Sequence, residues 1–463
     1  MSAFDQVIGY ESIKKDLLQL CDMVRNPEIY REMGAVLPRG VLLYGDPGLG
    51  KTLMADALIR ETGLTAFRVR MNAGENDIVT EINETFRKAA ECAPCIVFLD
   101  DLDKYANEDS SHQDAAAYVT VQACIDDVKD EDVFVIATAN NHHKLPASLC
   151  RPGRFDREIE FEAPGREDAL RIIRYYLRGK KVDESVDLED LSRMLDYESC
   201  AALETILNEA AIYAAYERKG KIGMPELIRA VLRKAYDSPE TDRKISEEKK
   251  RKIALHEAGH AVISEALIPG SVGMVSIWAA ADDDAGLMHS CVGRLSLTQT
   301  ALIALGGKAA TEMYYPDRAA KGCADDIMKA STALETRITN EVSLGFGLTD
   351  IKAAHYDDAS PYMIYKEEVA VQAELERRMF QVRGILMKNR LFLERMTDEL
   401  IQKGTLLYSD VQRIKASVVS FGEEDTKTTS LFDDLKEGLQ EAIIIAKGER
   451  PVKTLNSENT DNE

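Results

Sequence analysis

The residues Gly45-Asp46-Pro47-Gly48-Leu49-Gly50-Lys51-Thr52 have the types and spacing of a phosphate cradle. Glycines let backbone N–H groups approach phosphate oxygens closely, and a helix beginning after the loop adds its own donors and dipole. In that setting Lys51 reaches the β- and γ-phosphates of ATP, and Thr52 reaches Mg²⁺. Much further along, His256-Glu257-Ala258-Gly259-His260 sets two imidazoles four residues apart, which on a helix puts them on one face. Such a pair can grip one zinc ion (Zn²⁺), while Glu257, one step round, takes a proton from water that the metal acidifies. The motif lacks the H-x-x-G-x-x-H continuation that brings a third ligand, so that ligand must come from elsewhere in the chain.

The surrounding residues give these motifs a scaffold. Gly40-Val41-Leu42-Leu43-Tyr44 is a short apolar run that predicts a buried strand, and residues 51–60 read as a helix, so the glycine loop lies between strand and helix. Cys95-Ile96-Val97-Phe98-Leu99 predicts a second strand ending in Asp100 and Asp101. At the same sheet edge Asp100 is suited to hold the nucleotide's metal and Asp101 to polarise the attacking water. A third run, Val133-Phe134-Val135-Ile136-Ala137-Thr138-Ala139, ends at Asn140, and Arg151-Pro152-Gly153-Arg154-Phe155-Asp156-Arg157 follows. Asn140 can orient the lytic water. Arg151 and Arg154 either stabilise γ-phosphate charge on a neighbouring subunit or sit on a solvated loop. Residues 253–267 form the predicted helix of the two histidines, closed by Pro269-Gly270.

Charge and composition exclude several classes. With 58 Lys and Arg against 80 Asp and Glu the net charge is −22, which repels phosphate backbones, so no nucleic-acid partner is expected. No apolar stretch reaches the roughly 20 residues that span a bilayer, and the N-terminal residues lack the plan of a signal peptide. A cytoplasmic protein without a membrane span is therefore expected. The eight cysteines have no framework spacing; Cys92 and Cys95 form the only C-x-x-C, and buried, reduced thiols are the reading.

In this order, Phe4 to Gly9, the glycine loop, the Asp100 strand, Asn140 and RPGRFDR resemble an AAA+ ATPase module, a family that works as rings, usually of six subunits. The helical pattern of residues 170–234 resembles the small lid of such modules. HEAGHAV, then Ala304-Leu305-Gly306-Gly307-Lys308-Ala309-Ala310-Thr311-Glu312, then Gly322-Cys323-Ala324-Asp325-Asp326-Ile327 resemble the peptidase domain of FtsH-type ATP-dependent zinc metalloproteases. The resemblance runs from Phe4 to about Ile414. It implies an α/β AAA+ P-loop domain with a helical lid, followed by a mostly α-helical zinc metallopeptidase domain. It also implies that the third zinc ligand is Asp326, although Asp325 competes on spacing alone. Glu312 reads as an outer or structural acid and His289 as a surface histidine. The expected division is 1–165 for the ATPase, 166–240 for its lid, 241–249 for a linker, 250–420 for the peptidase and 421–463 for an acidic extension carrying one amphipathic helix.

The implied activity is ATP-dependent hydrolysis of protein or peptide substrates by a homo-hexamer, with Zn²⁺, ATP and Mg²⁺ as cofactors. An ATP-independent zinc peptidase with a weakly hydrolysing ring, and a non-enzymatic ATP-switched scaffold, are the rivals. The sequence departs from the family pattern in three places. The family's N-terminal membrane anchor is missing, which reads either as a complete variant without one or as a lost segment, with the opening Met-Ser-Ala favouring the former. The loop Arg70-Met71-Asn72-Ala73-Gly74-Glu75-Asn76-Asp77 lacks the pore aromatic, so a weak grip on folded substrates is expected. Asp101 stands where the family has glutamate, and a reach shorter by one methylene predicts slow ATP hydrolysis. The extension is a docking site for an adaptor or a helix packed on its own domain.

Overall fold

The computed structural model describes residues 2–69, 75–105, 115–151, 153–238, 246–278, 286–316, 323–340 and 361–422. Residues 70–74 of the loop expected to lack a pore aromatic, and the extension beyond residue 422, lie outside them.

The half expected to be an ATPase begins with helices α1 (Glu11–Arg25) and α2 (Pro27–Glu32) and continues through β1 (Gly40–Gly45), α3 (Lys51–Thr62), β2 (Thr65–Val69), α4 (Glu75–Glu91), β3 (Cys95–Leu99), α5 (Ala115–Asp127), β4 (Val133–Ala139) and β5 (Arg157–Phe161). The strands form one parallel sheet in the order β2-β3-β4-β1-β5. β1, β3 and β4 are apolar along almost their whole length because helices cover both faces of the sheet. All the strands point the same way, so the loops after β1, β3 and β4 emerge at one edge. The glycine loop, Asp100 and Asn140 therefore meet there.

The lid comprises α6 (Arg166–Leu177), α7 (Leu188–Met194), α8 (Cys200–Tyr216) and α9 (Met224–Ala235), packed around Ile173, Leu203, Leu207, Leu227 and Val231. Ser199 caps α8, its hydroxyl accepting the Ala202 N–H at 3.2 Å, the usual way to satisfy an orphan donor of the first turn. That helix end lies against the glycine loop, where the Ala201 N–H donates to the Gly48 carbonyl at 3.1 Å.

The remaining elements are α10 (Glu247–Leu267), β6 (Val272–Ser276), β7 (Leu287–Ser290), α11 (Leu297–Tyr314), α12 (Cys323–Asn340), α13 (Pro361–Lys388), α14 (Arg390–Lys403), β8 (Thr405–Leu407) and α15 (Tyr408–Gly422). α10 starts inside the stretch expected to be linker, because Ser246 caps it through the Lys249 N–H. α13 and α14 are separate helices, broken at Asn389. β6 is central in a small antiparallel sheet, β7-β6-β8.

This half and the lid share a core. Met274 of β6 and Leu407 of β8 pack among the lid side chains. Asp190 of α7 accepts the Ser409 N–H at 2.9 Å and its hydroxyl at 2.6 Å. The Arg193 guanidinium lies 3.6 Å over the Tyr408 ring and donates to the Gly270 carbonyl at 3.0 Å.

Buried Glu265 forms an ion pair with half-buried Lys415 where α10 meets α15. Its fully buried carboxylate accepts the Gly270 and Val272 N–H groups at 3.0 and 3.1 Å and Lys415 Nζ at 2.8 Å. Burial pushes its pKa up, but Lys415 and the two amides outweigh burial and hold the carboxyl below its ordinary value. The stabilisation is therefore complete above the unfolded-chain pKa of about 4.3 and is lost as the pH falls through the lower folded value. Lys415→Met should strand this carboxylate and destabilise the domain by about 2–3 kcal/mol, read as a lower denaturant midpoint at pH 7. The loss should shrink in acid, and a midpoint unchanged at pH 7 would contradict the assignment.

Candidate active sites

The first site is the edge of the parallel sheet. Gly45, with φ 140°, lies so close to β5 that an added Cβ would sit 2.2 Å from the Phe161 carbonyl oxygen. Gly50 precedes α3 in a left-handed conformation, φ 89°, which glycine adopts without strain. Asp46, Pro47, Gly48 and Leu49 make the arch between them. Lys51 is only 5% exposed, and its ammonium donates to the carbonyls of Gly45 and Asp46 at 2.7 and 2.8 Å and to Asn140 Oδ1 at 2.9 Å. Burial lowers its pKa against the pull of Asp101 and Asp103.

Thr52 and Thr138 both donate to Asp100 Oδ1, at 3.0 and 2.7 Å. Asn140 Nδ2 donates to Asp101 Oδ1 at 3.2 Å, while Lys104 pairs with Asp101 Oδ2 at 2.6 Å. Asp103 accepts the N–H groups of Asn140 and Asn141 at 3.0 and 3.1 Å. Thr138 and Asp103 thus position the residues picked out from sequence. Neither was expected, since only the parallel register brings them there; their one local signal was a polar residue inside or just after an apolar run.

The second site is where α10, α11 and α12 meet. His256 and His260 face the same side of α10, their Nε2 atoms 3.1 Å apart. Asp326 of α12 reaches both, with Oδ2 at 3.0 Å from His256 Nε2 and 3.2 Å from His260 Nε2. Asp325, the competing neighbour, is exposed. His260 Nδ1 lies 2.7 Å from the Ile303 carbonyl; a carbonyl only accepts, so Nδ1 carries a proton and Nε2 is the atom turned to Asp326. Burial lowers the His256 pKa, but hydrogen bonds to Asp326 and Cys323 and the charges of Glu257 and Asp326 outweigh it and push it up to about 10. Burial likewise opposes ionisation of Asp326, yet the two imidazoles hold it well below the carboxylate range. Glu257 is 6% exposed and its pKa is raised by burial, partly offset by both histidines.

Two close contacts make room for this cluster. An added Cβ on Gly259 would lie 2.5 Å from the Gly306 carbonyl oxygen, and one on Gly306 would lie 2.8 Å from that of Gly259, so α10 and α11 cross almost backbone to backbone. One residue on, a Cβ on Gly307 would meet both Nε2 atoms at 2.5 Å. The bare patch on α11 is a cradle for two imidazoles. Two nitrogens and a carboxylate oxygen, mutually about 3 Å apart, are a donor set and spacing that suit a tetrahedral divalent ion with one open position.

Comparison with known proteins joins the two sites. Residues 41–163 match the family described as ATPase family associated with various cellular activities (AAA), and residues 243–414 match Peptidase family M41. The chain is 31% identical over 449 residues to ATP-dependent zinc metalloprotease FtsH 3 of Symbiobacterium thermophilum, covering 88% of this chain and 70% of that protein. It is 30% identical over 450 residues to ATP-dependent zinc metalloprotease FtsH of Synechococcus sp., covering 89% and 69%. The chain belongs to the FtsH family of ATP-dependent zinc metalloproteases. ATP-dependent zinc metalloprotease FtsH 2 of Sphaerobacter thermophilus is a further relative, 33% identical over 428 residues. Among the described residues, no helix of this FtsH-family chain is long and apolar enough to cross a membrane.

Of the other residues picked out from sequence, His289 and three of the cysteines differ from expectation. Arg154 is turned inward: it donates to both Asp126 carboxylate oxygens at 2.9 and 3.3 Å and to the Ser148 carbonyl at 2.6 Å. Arg151 is exposed. His289 is half-buried rather than on the surface, because its Nδ1 meets the Tyr236 hydroxyl at 2.6 Å across the lid boundary. Glu312 pairs with Lys308 at 2.5 Å and Arg383 at 2.8 Å, away from the histidines. The cysteines are free, but Cys92 is exposed and Cys150 and Cys200 are only half-buried.

The two glycines of α11 separate fold from site. Gly306→Ala should force the helices apart and destabilise the domain by about 1–3 kcal/mol. Gly307→Ala meets only ring atoms, so zinc affinity should fall roughly 10- to 100-fold with a smaller loss of stability. Zinc titration and thermal melts of both variants check this; equal zinc affinity in Gly307→Ala and the wild type would remove the cradle.

Proposed function

We propose that this FtsH-family chain cuts peptide bonds in protein substrates at His256, His260, Asp326 and Glu257. ATP turned over at the glycine loop in a ring of six copies drives the substrate to that site. The units are the ATPase, 1–165, its lid, 166–240, and the peptidase, which begins with α10 at Glu247 and runs to about residue 420. The observation that carries the reading is the convergence of two imidazole nitrogens and one carboxylate oxygen beside a buried glutamate.

Zinc, when bound by His256, His260 and Asp326, acidifies water and polarises a peptide carbonyl. Glu257 takes the proton and returns it to the leaving amine. Burial raises its proton affinity toward the range where both transfers are efficient. β7, at the edge of its sheet, begins beside Glu257: an added Cβ on Gly286 would lie 2.4 Å from Glu257 Cγ. An extended peptide pairing with that edge would pass the glutamate, which favours unfolded segments as substrates.

In the ATPase, Lys51 and the loop amides of Gly45, Asp46, Gly48, Leu49 and Gly50 hold the phosphates, with Pro47 shaping the arch. Thr52 and Asp100 hold Mg²⁺, and Asp101 and Asn140 orient the attacking water. Exposed Arg151 reaches the γ-phosphate of a neighbouring copy. Arg154 positions that loop through Asp126. Coupling follows the chain of contacts from Gly48 to Ala201 and from α7 to Ser409 and Tyr408: a lid that moves with nucleotide pulls directly on the peptidase sheet.

Glu257→Gln should cut casein hydrolysis roughly 10²- to 10⁴-fold while zinc content and ATP binding stay at wild-type levels; full cleavage by that variant would sink the protease assignment. Lys51→Ala should abolish ATP turnover by losing nucleotide, and Arg151→Ala by losing the finger. Mixing the two inactive proteins should restore turnover at interfaces where an intact loop meets an intact arginine. Stable mixed rings with no recovery would place Arg151 outside the neighbour's site.

A further inference from the structure

We propose that His142, Cys150 and Glu158 form a second metal site, for a zinc-like divalent cation, on the loop that carries Arg151. His142 lies in the 3-10 turn His142–Lys144 after β4, Cys150 immediately precedes Arg151, and Glu158 is on edge strand β5. His142 Nε2 is 2.7 Å from Glu158 Oε2 and 3.6 Å from Cys150 Sγ. One ligand atom from each of the three lies within 4.8 Å of the others. The Tyr44 ring packs against the imidazole with centroids 4.7 Å apart and planes tilted by 43°, which restricts the ring's orientation.

The chemistry and the spacing both fit. An imidazole nitrogen, a thiolate sulfur and a carboxylate oxygen are the donors that zinc takes. With Zn–N of about 2.0 Å and Zn–S of about 2.3 Å at a tetrahedral angle, nitrogen and sulfur stand about 3.5 Å apart, against 3.6 Å here. The nitrogen and oxygen would part from hydrogen-bond distance to about 3.3 Å, a small swing for an exposed glutamate. Solvent completes the shell. A plain surface pair between His142 and Glu158 explains two of these residues and is worth little; a Cys150 S–H bond to the same nitrogen cannot form while that nitrogen donates to Glu158, whereas one cation in place of both protons satisfies all three groups.

The site ties together the two ends of the loop that follows Asn140, so a bound ion would pin the segment presenting Arg151. The residues differ in kind from the histidine pair and Asp326, which offer no sulfur, and that difference makes the site testable in the full-length protein. After chelation of both sites, titration with Co²⁺ should give a near-ultraviolet thiolate-to-cobalt charge-transfer band that is complete once both are filled, by about two equivalents per subunit. Cys150→Ser should abolish the band, Cys323→Ser should keep it, and His142→Gln should weaken cobalt binding roughly 10-fold or more. Circular dichroism checks that the variants fold; if Cys150→Ser does not, His142→Gln decides. Absence of the band in the wild type, its survival in Cys150→Ser, its loss only in Cys323→Ser, or unchanged affinity in His142→Gln would each overturn the site.

Discussion

The contact on which the peptidase half depends is the crossing of α10 and α11 at Gly259 and Gly306. Each glycine sits where a single added carbon would strike the other helix's backbone, so the axes come closer than side chains normally permit. The closeness brings the imidazoles of α10 over the bare surface at Gly307 and sets the Ile303 carbonyl against His260. It also lets α12, packed on α11, deliver Asp326 to both rings. The apolar side chains around the crossing, Val262, Ile263, Leu302 and Leu305 among them, make the arrangement rigid. Ligands held in advance lose little freedom on taking up an ion.

The ATPase obeys a different constraint, direction rather than closeness. Parallel strands put every functional loop at one edge, and hydrogen bonds between loops then set the details: Thr138 steadies Asp100, and Asp103 steadies Asn140. Asp101 is held between Asn140 and Lys104 with φ 52°, so its short side chain is at least aimed. The lid touches this edge through the N-terminus of α8 and the peptidase through α7. One small helical unit thus contacts both the ATPase sheet edge and the peptidase.

What was legible in the sequence was whatever chemistry lay within a few residues. The glycine loop, the strand ending in Asp100 and the histidines on α10 follow from local spacing, and the structure has the strand-loop-helix and the single helical face that the spacing implies. Asp326 lies far from the histidines in sequence, and resemblance alone favoured it over Asp325. Helical phase decides between them, since only one of two adjacent residues on α12 can face α10. Gly306 and Gly307 were visible as letters, but their purpose exists only at a helix crossing. Long-range partners were likewise hidden: nothing near Arg154 announces Asp126, and nothing near His289 announces Tyr236. The half-buried Cys150 drew no notice because its companions come from a turn and an edge strand that meet only in three dimensions.

The proposed zinc ligands are His256, His260 and Asp326. X-ray absorption at the zinc edge, on full-length Cys150→Ser protein carrying one equivalent per subunit, reads that ligand shell directly. Those three ligands require nitrogen and oxygen neighbours only, at about 2.0–2.2 Å, with outer-shell scattering from two imidazole rings. A sulfur neighbour at about 2.3 Å, or scattering from a single ring, would contradict that assignment.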